Sequence, residues 1–567
     1  MAFHKVHCPR CGRVMEANEL AFDFGHLLNM ALEKMSRRHF GASIEWYDLT
    51  GLNLCLYLTL QDLIDEYDFQ VASQNTYQGR FVFTSEKLEQ QLIKLAHKPG
   101  TDIDILAGNI GIEYENLTKF MATSKEVDLD ELAEKIQEVA NRVKTNMNTT
   151  IAYFDVIVIM DKDDRGNSFA NKLEVTFDDG SKKTISKFIC KGKEGRPCGK
   201  ELYGHAGKFK EIVIGLAGTA RVGKTAYLAS LLASIMREGN GYESLGYDQD
   251  VITTLAYAGE GWSTFKQTLL TPYVTGKKIE KTPVIRETSE NKEAIPMFSL
   301  TFRINSSRRN FIFTFVDMPG EIYDGGDADF VAEQREIIRS ANMIWLCISP
   351  AQIDPMHAAA TADPVNTNIM EVLANIETTM QAIKMERKIP AVVLITRSDE
   401  ALESYDLFHS QFNPFASSSN PMYYLSEKSE KTPWVNEKGA LFYNNMKWFI
   451  QKSYNYLNSS KGIVAQIGNI FSCFTPFAVA SYGYDLDNPY SNRNNESGLP
   501  TPSMIEGPFL WTLAYLGIMP SYIEKMVTKE REKFFGLKKE TYQQLTNVLV
   551  NSDIKNELFY YPIRKED

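Results

Sequence analysis

The spacing of apolar positions changes three times along the chain. Between about residues 20 and 143 apolar side chains recur at three- and four-residue intervals, as over 27–34, 86–96 and 129–143, which predicts helices. From Ile151 to Ile159 the pattern becomes that of a strand. Two further strands are expected at 172–177 and 183–189, after the polar turns at 161–166 and at Asp178-Asp179-Gly180. Beyond Lys210 the order is strand, loop, helix, strand, strand, helix, strand, helix, strand. The strands fall at 211–216, 298–304, 311–316, 343–349, 391–396 and 474–481. Such alternation predicts an α/β fold with a mostly parallel sheet flanked by helices. Residues 483–503, rich in Asn, Pro and Ser, read as a surface loop, and 239–295 as a long, poorly patterned insertion.

Chemistry enters with Gly218-Thr219-Ala220-Arg221-Val222-Gly223-Lys224-Thr225. Glycines at both ends let backbone N–H groups wrap a phosphate, Lys224 reaches the terminal phosphates, and the Thr225 hydroxyl is placed to bind Mg²⁺. An apolar strand enters this loop, and a helix opening with Ala226, next to the same phosphates, leaves it. Strand 311–316 ends in Asp317-Met318-Pro319-Gly320-Glu321, where Asp317 can hold Mg²⁺ through water and Gly320 can donate an N–H to a γ-phosphate. Strand 391–395 ends in Thr396-Arg397-Ser398-Asp399. The Asp399 carboxylate can accept two hydrogen bonds from guanine that adenine cannot supply, and the stem of Arg397 can cover a ring face.

On these three segments, residues 211–517 resemble a P-loop GTPase of the translation-factor-related class. Within it they most resemble the bacterial "double-GTPase" families of conflict and signalling gene clusters, which often carry a zinc ribbon. The resemblance implies that Lys281-Thr282-Pro283 carries the switch-one Thr. It makes Thr282 a Mg²⁺ ligand and catalytic residue, with Thr288 the competing choice. Residues 477–483 resemble the last strand and fifth motif, placing Ser481 and Tyr482 at the nucleotide, and Gly507–Trp511 resembles the start of the closing helix. Arg397 stands where Lys is usual and keeps the flat, cationic character. Glu321 stands where many regulatory GTPases have a water-orienting Gln, so slow intrinsic hydrolysis is expected. Arg221 occupies a loop position where Gly is common, and its guanidinium would supply transition-state charge in cis, against the alternative that it points to solvent. Lys224, Arg221, Glu321 and Thr282 form the expected catalytic set.

Seven cysteines suit reduced thiols or metal ligands. Cys8-Pro9-Arg10-Cys11-Gly12 is a zinc knuckle, and Arg196-Pro197-Cys198-Gly199-Lys200 echoes it. Cys8, Cys11, Cys190 and Cys198 would form a structural Zn²⁺ site, with His4, His7 and His205 as substitutes. Cys55, Cys347 and Cys473 sit in apolar runs and read as core. Asp161-Lys162-Asp163-Asp164-Arg165-Gly166 has the outline of a calcium loop, but Arg165 and Lys172 break the ligand pattern, leaving a hairpin turn.

The expected domains are a split zinc ribbon (1–19 plus 186–208), a helical insert (20–150), a β-rich segment (151–185), a GTPase domain (209–525) and a charged helical appendage (526–567). The length of 567 residues suits two to four domains, and the net charge of −11 makes nucleic acid an unlikely partner. No apolar run is long enough to cross a membrane, and the N-terminus lacks a secretory pattern, so a cytoplasmic location is expected. The expected activity is Mg²⁺-dependent GTP hydrolysis cycling between GTP and GDP, coupled to a protein partner or a second GTPase. The competing expectation is a GTP-loaded scaffold with little turnover.

Overall fold

Period-two alternation governs the N-terminal part of the chain more widely than the sequence suggests. The computed structural model describes residues 3–8, 13–35, 56–84, 150–192, 198–202, 205–219, 221–236, 252–258, 266–275, 279, 297–304, 309–317, 338–353, 369–382, 389–398, 441–442, 450–451, 453–481, 505–518, 521–533 and 538–549. It divides into two compact units, Met1–Lys210 and Glu211–Asp567.

In the first unit, strands β1 (Lys5–His7) and β2 (Val14–Glu16) form a hairpin in register Lys5↔Glu16, and β3 (Phe22–Asp23) pairs with β4 (Tyr57–Leu58). Helix α1 (Phe24–Met35) follows β3, and α2 (Leu60–Tyr67) follows β4, opened by a reciprocal cap between Thr59 and Asp62. The main sheet is antiparallel, ordered β5 (Gln70–Ser73), β6 (Thr76–Thr84), β7 (Thr150–Lys162), β8 (Ser168–Phe177) and β9 (Lys182–Ile185). Its inner face is aromatic: Phe81 lies 4.8 Å from Phe154 and 5.0 Å from Phe24, ring centre to ring centre.

The reading of 20–150 as a helical insert is corrected here. Helix α1 stands where a helix is expected, but β5 and β6 are strands. Phe81 and Phe83 face inward while Gln78 and Arg80 are exposed, so a nine-residue period-two stretch sits among helical-looking neighbours. The helices expected at 86–96 and 129–143 lie outside the described residues. The turn at 163–167 joins β7 to β8, as a hairpin.

The second unit is built on a seven-stranded sheet. Its strands are β10 (Lys210–Ala217), β11 (Ile252–Ala258), β12 (Met297–Ile304), β13 (Arg309–Asp317), β14 (Met343–Ile348), β15 (Ala391–Ile395) and β17 (Phe474–Ala478), in the order β11-β12-β13-β10-β14-β15-β17. Strands β10, β14, β15 and β17 are mutually parallel, and β11–β12 and β12–β13 are antiparallel. Every residue of β14, β15 and β17 is buried, as parallel strands covered on both faces require. Helices α3 (Lys224–Met236), α4 (Ile369–Ala382), α5 (Lys461–Ile470) and α6 (Glu506–Tyr515) accompany this sheet. Residues 506–514 of α6 are all buried, and Thr512 accepts a 3.1 Å hydrogen bond from the Trp345 indole of β14.

The C-terminal segment is also corrected. Residues 526–567 are expected to be helical, yet β18 (Ser521–Lys533) and β19 (Lys538–Leu549) form a long antiparallel ladder, with β16 (Leu441–Phe442) parallel to β18. Lys and Glu favour a helix in isolation. The β-branched and aromatic residues Ile523, Val527, Thr528, Thr541, Tyr542, Thr546 and Val548 favour strands. A ladder running from Tyr522↔Leu549 to Lys533↔Lys538 outweighs the helical preference.

Candidate nucleotide site and cysteine cluster

Strand β10 carries the chain through the core and releases it at Gly218. This residue has φ +152°, and a Cβ there would lie 2.6 Å from the Cys347 carbonyl oxygen of β14. Only glycine permits so close an approach. The loop turns through left-handed Arg221 (φ +62°) and Gly223 (φ +97°) and enters α3 at Lys224, leaving backbone amides at a helix N-terminus, an arrangement suited to anions. The buried Lys224 donates from Nζ to the carbonyls of Gly218 and Thr219, each at 2.8 Å. Phosphate oxygens would compete for the same protons. Thr225 and Ala226 are half-buried in the first turn of α3.

The segment 396–398, after β15, packs directly on this loop. The buried Thr396 donates from Oγ1 to the Val222 carbonyl, and its backbone N–H donates to Ile348 at 2.9 Å. Arg397 adopts φ +54°, and a Cβ on Gly223 would lie 3.5 Å from Thr396 Cβ and 3.6 Å from Arg397 Cγ. The Ser398 N–H donates to Val479 at 3.2 Å, tying the segment to the end of β17. Just beyond, the buried Ser481 offers its carbonyl to the hydroxyl of Tyr273, on a short helix, Thr271–Val274, within the long insertion. Gly218, Thr219, Arg221, Val222, Gly223, Lys224, Thr225, Thr396, Arg397 and Ser481 thus follow the carboxyl ends of parallel strands β10, β15 and β17, where open α/β sheets bind ligands. Asp317 closes β13, next to β10 in the sheet. Ala220, Thr282, Thr288, Gly320, Glu321, Asp399 and Tyr482 lie outside the described residues.

One residue of this site has no sequence signal. Gln352, in the helical turn Pro350–Ile353 after β14, is buried and donates from Nε2 to Thr219 Oγ1 at 2.9 Å. A lone Gln after an apolar strand resembles any turn residue. Only the strand order brings it to the loop.

Residues 212–413 match the Double-GTPase 2 family. This unit carries a P-loop GTPase of the double-GTPase type. No curated protein matches the chain. Among solved structures, the G domain of the T. maritima FeoB iron transporter is 14% identical, with 35% of this chain and 80% of that one covered at a TM-score of 0.16. The septin GTPase domain from Chlamydomonas reinhardtii is 14% identical, with 55% and 94% covered at 0.22. The S. cerevisiae Ski7 GTPase-like domain, bound to GTP, is 13% identical, with 57% and 55% covered at 0.21. Scores this low add nothing to the assignment, which rests on the family match and the loop.

Apart from the GTPase domain, the first unit gathers thiols. The ligand atoms of Cys8, Cys190 and Cys198 all lie within 4.8 Å of one another, and Cys8 Sγ is 3.6 Å from Cys198 Sγ. Sulfurs on a tetrahedral zinc stand about 3.8 Å apart, from a Zn–S bond of about 2.3 Å, so the donor set fits that ion. Backbone bonds hold the segments around these cysteines: Cys8 N–H to Arg13 at 2.9 Å, Cys190 N–H to Lys200 at 2.9 Å and Gly199 N–H to Cys190 at 3.1 Å. Cys11 lies outside the described residues. His4 is paired with Asp164, and burial, then the Lys208 ammonium, holds the His205 imidazole below its ordinary pKa. Cys347 and Cys473 are core residues, as expected, and Cys55 lies outside the described residues. Among the described residues, no helix is long and apolar enough to cross a membrane.

Proposed function

We propose that this chain is a GTP-hydrolysing switch that couples its nucleotide state to a protein partner or a second GTPase, in the manner of bacterial conflict and signalling systems. The observation that supports the reading is the packing of Thr396 and Arg397 against the loop at Val222 and Gly223. Loop amides, those of Ala220 and Ala226 included, and Lys224 would hold the phosphates. Asp399 reads the guanine edge, Arg397 covers a ring face, and Ser481 and Tyr482 flank the base. Thr225, Thr282 and Asp317 would hold Mg²⁺, whose charge offsets that of the β- and γ-phosphates. Gly320 registers the γ-phosphate, Glu321 orients the attacking water, and Arg221 faces the charge that develops as the γ-phosphoryl leaves GDP. Cys8, Cys11, Cys190 and Cys198 would hold a structural zinc ion, closing four positions and leaving none for water.

Competition between GTP and ATP for the purified chain, repeated on Asp399→Asn, tests the reading. GTP preference in the wild type and its loss in the variant are expected; a preference that survives removes Asp399 from the base site. The Glu321 carboxylate favours a second reading, a GTP-loaded scaffold, because its charge repels a γ-phosphate unless protonated or turned away. Phosphate release at background despite tight GTP binding would select the scaffold.

A further inference from the structure

We infer that Gln352 is a positioning residue for the phosphate loop, acting through Thr219. The inference rests on the nucleotide-binding reading of that loop.

The amide of Gln352 bridges two elements. Its Oε1 accepts the backbone N–H of Ser349 at 3.0 Å, and its Nε2 donates to Thr219 Oγ1 at 2.9 Å. A backbone N–H can only donate, so the oxygen must face Ser349 and the amino group must face Thr219. Gln352, Ser349 and Thr219 are all buried, so each bond is made away from competing water. The helical turn bearing Gln352 is itself closed by its own N–H donating to the Ser349 carbonyl at 3.0 Å. The side chain is therefore anchored at the end of β14, which pairs in parallel with β10 in register Ala217↔Leu346.

The consequence concerns the phosphate cradle. Thr219 follows Gly218, which is pressed on β14 at Cys347, and the Thr219 carbonyl is one of the two that hold Lys224. The far side of the loop is held separately, by Thr396 on the Val222 carbonyl. Two side chains from successive parallel strands thus pin opposite ends of the loop. The Gln352 pin sets the direction of the Thr219 peptide and the resting place of the Lys224 ammonium. Both concern phosphates and neither concerns the base, so losing Gln352 should weaken all nucleoside di- and triphosphates alike.

The test is a cycle on the full chain, using a fluorescent GTP analogue with GDP and ATP as competitors, over Gln352→Leu, Thr219→Val, the double variant and Thr219→Ser. Gln352→Leu and Thr219→Val should each weaken GTP and GDP about tenfold, with the GTP-over-ATP ratio unchanged. The double variant should be no worse than either single one, and Thr219→Ser, which keeps the hydroxyl, should recover most of the affinity that Thr219→Val loses. Binding by Gln352→Leu within about twofold of wild type, or losses that multiply in the double variant, would overturn the inference. Far-ultraviolet circular dichroism and thermal melting verify folding in each case, and the Thr219 variants carry the test if Gln352→Leu does not fold. A folded wild type that binds no nucleotide overturns the nucleotide reading itself, and this inference with it.

Discussion

Arg221 holds a left-handed backbone, φ +62°, between Gly218 and Gly223 in a loop where glycine would adopt that conformation without strain. Replacing it with glycine should raise stability by about 1 kcal/mol in urea denaturation. If the guanidinium supplies transition-state charge, the same Arg221→Gly change should slow single-turnover hydrolysis about tenfold or more, at near-unchanged affinity. A rate equal to wild type would remove Arg221 from the chemistry and leave only the gain in stability. Lys224→Ala removes an ammonium shared between two loop carbonyls. It should lower affinity for GTP and GDP by about tenfold to a hundredfold, read by isothermal titration. Lys224 was legible in the sequence because a phosphate loop fixes residue types at fixed spacing, whereas Arg221 stood out only as a departure from that pattern. Gln352 was not legible, since its role comes from strand order and not from neighbours in the chain.

Elements were legible where burial on both faces produces unbroken apolar runs. Strands β10, β14, β15 and β17 were expected at 211–216, 343–349, 391–396 and 474–481, the last running three residues past its observed end at Ala478. Strand β11 was missed because Ile-Thr-Thr-Leu-Ala-Tyr-Ala has the mixed polarity of an edge strand, inside an insertion without other pattern. Strands β18 and β19 were missed because their Lys and Glu content resembles that of a solvent-facing helix. The turn between β7 and β8 shows how a carboxylate can organise an element. Asp163 Oδ1 accepts the N–H groups of Arg165 at 2.9 Å and Asn167 at 2.8 Å, and Oδ2 accepts Asn167 Nδ2 at 2.9 Å. Burial pushes the Asp163 carboxyl upward, but the bonds from Asn167 and Arg165 outweigh it and hold the group below the usual carboxylate range. A lowered native pKa contributes stability above the unfolded value, about 3.9, and that stability is lost as pH falls through the native one. Asp163→Asn should therefore flatten the acid limb of stability below about pH 4, measured by urea denaturation across pH. A parallel downward shift at every pH would mean that the charge contributes nothing.

At the scale of the whole molecule, Met1–Lys210 and Glu211–Asp567 each have their own core, one aromatic and sheet-backed, the other α/β. Ligands that bind one unit should stabilise that unit by mass action. Calorimetry of the full chain is expected to show two transitions. Mg²⁺-GTP at a hundredfold over its dissociation constant should raise one by about 2.7 kcal/mol of stability, and a zinc-selective chelator should lower only the other. A single transition moved by both treatments would show that the units unfold as one.

The thiol cluster also has a history written into chain order. Cys8 and Cys198 are 190 residues apart yet in contact, and Ile189 bridges back to Ala21. During synthesis the first thiol leaves the ribosome long before its companions exist. On the proposed four-cysteine site, an ion captured earlier would meet only the N-terminal thiols and be left half-coordinated. Complete coordination would thus become available only when the last residues of the first unit have emerged, as the GTPase domain begins to follow. Coordination in this protein would mark the completion of one unit at the moment the next is begun.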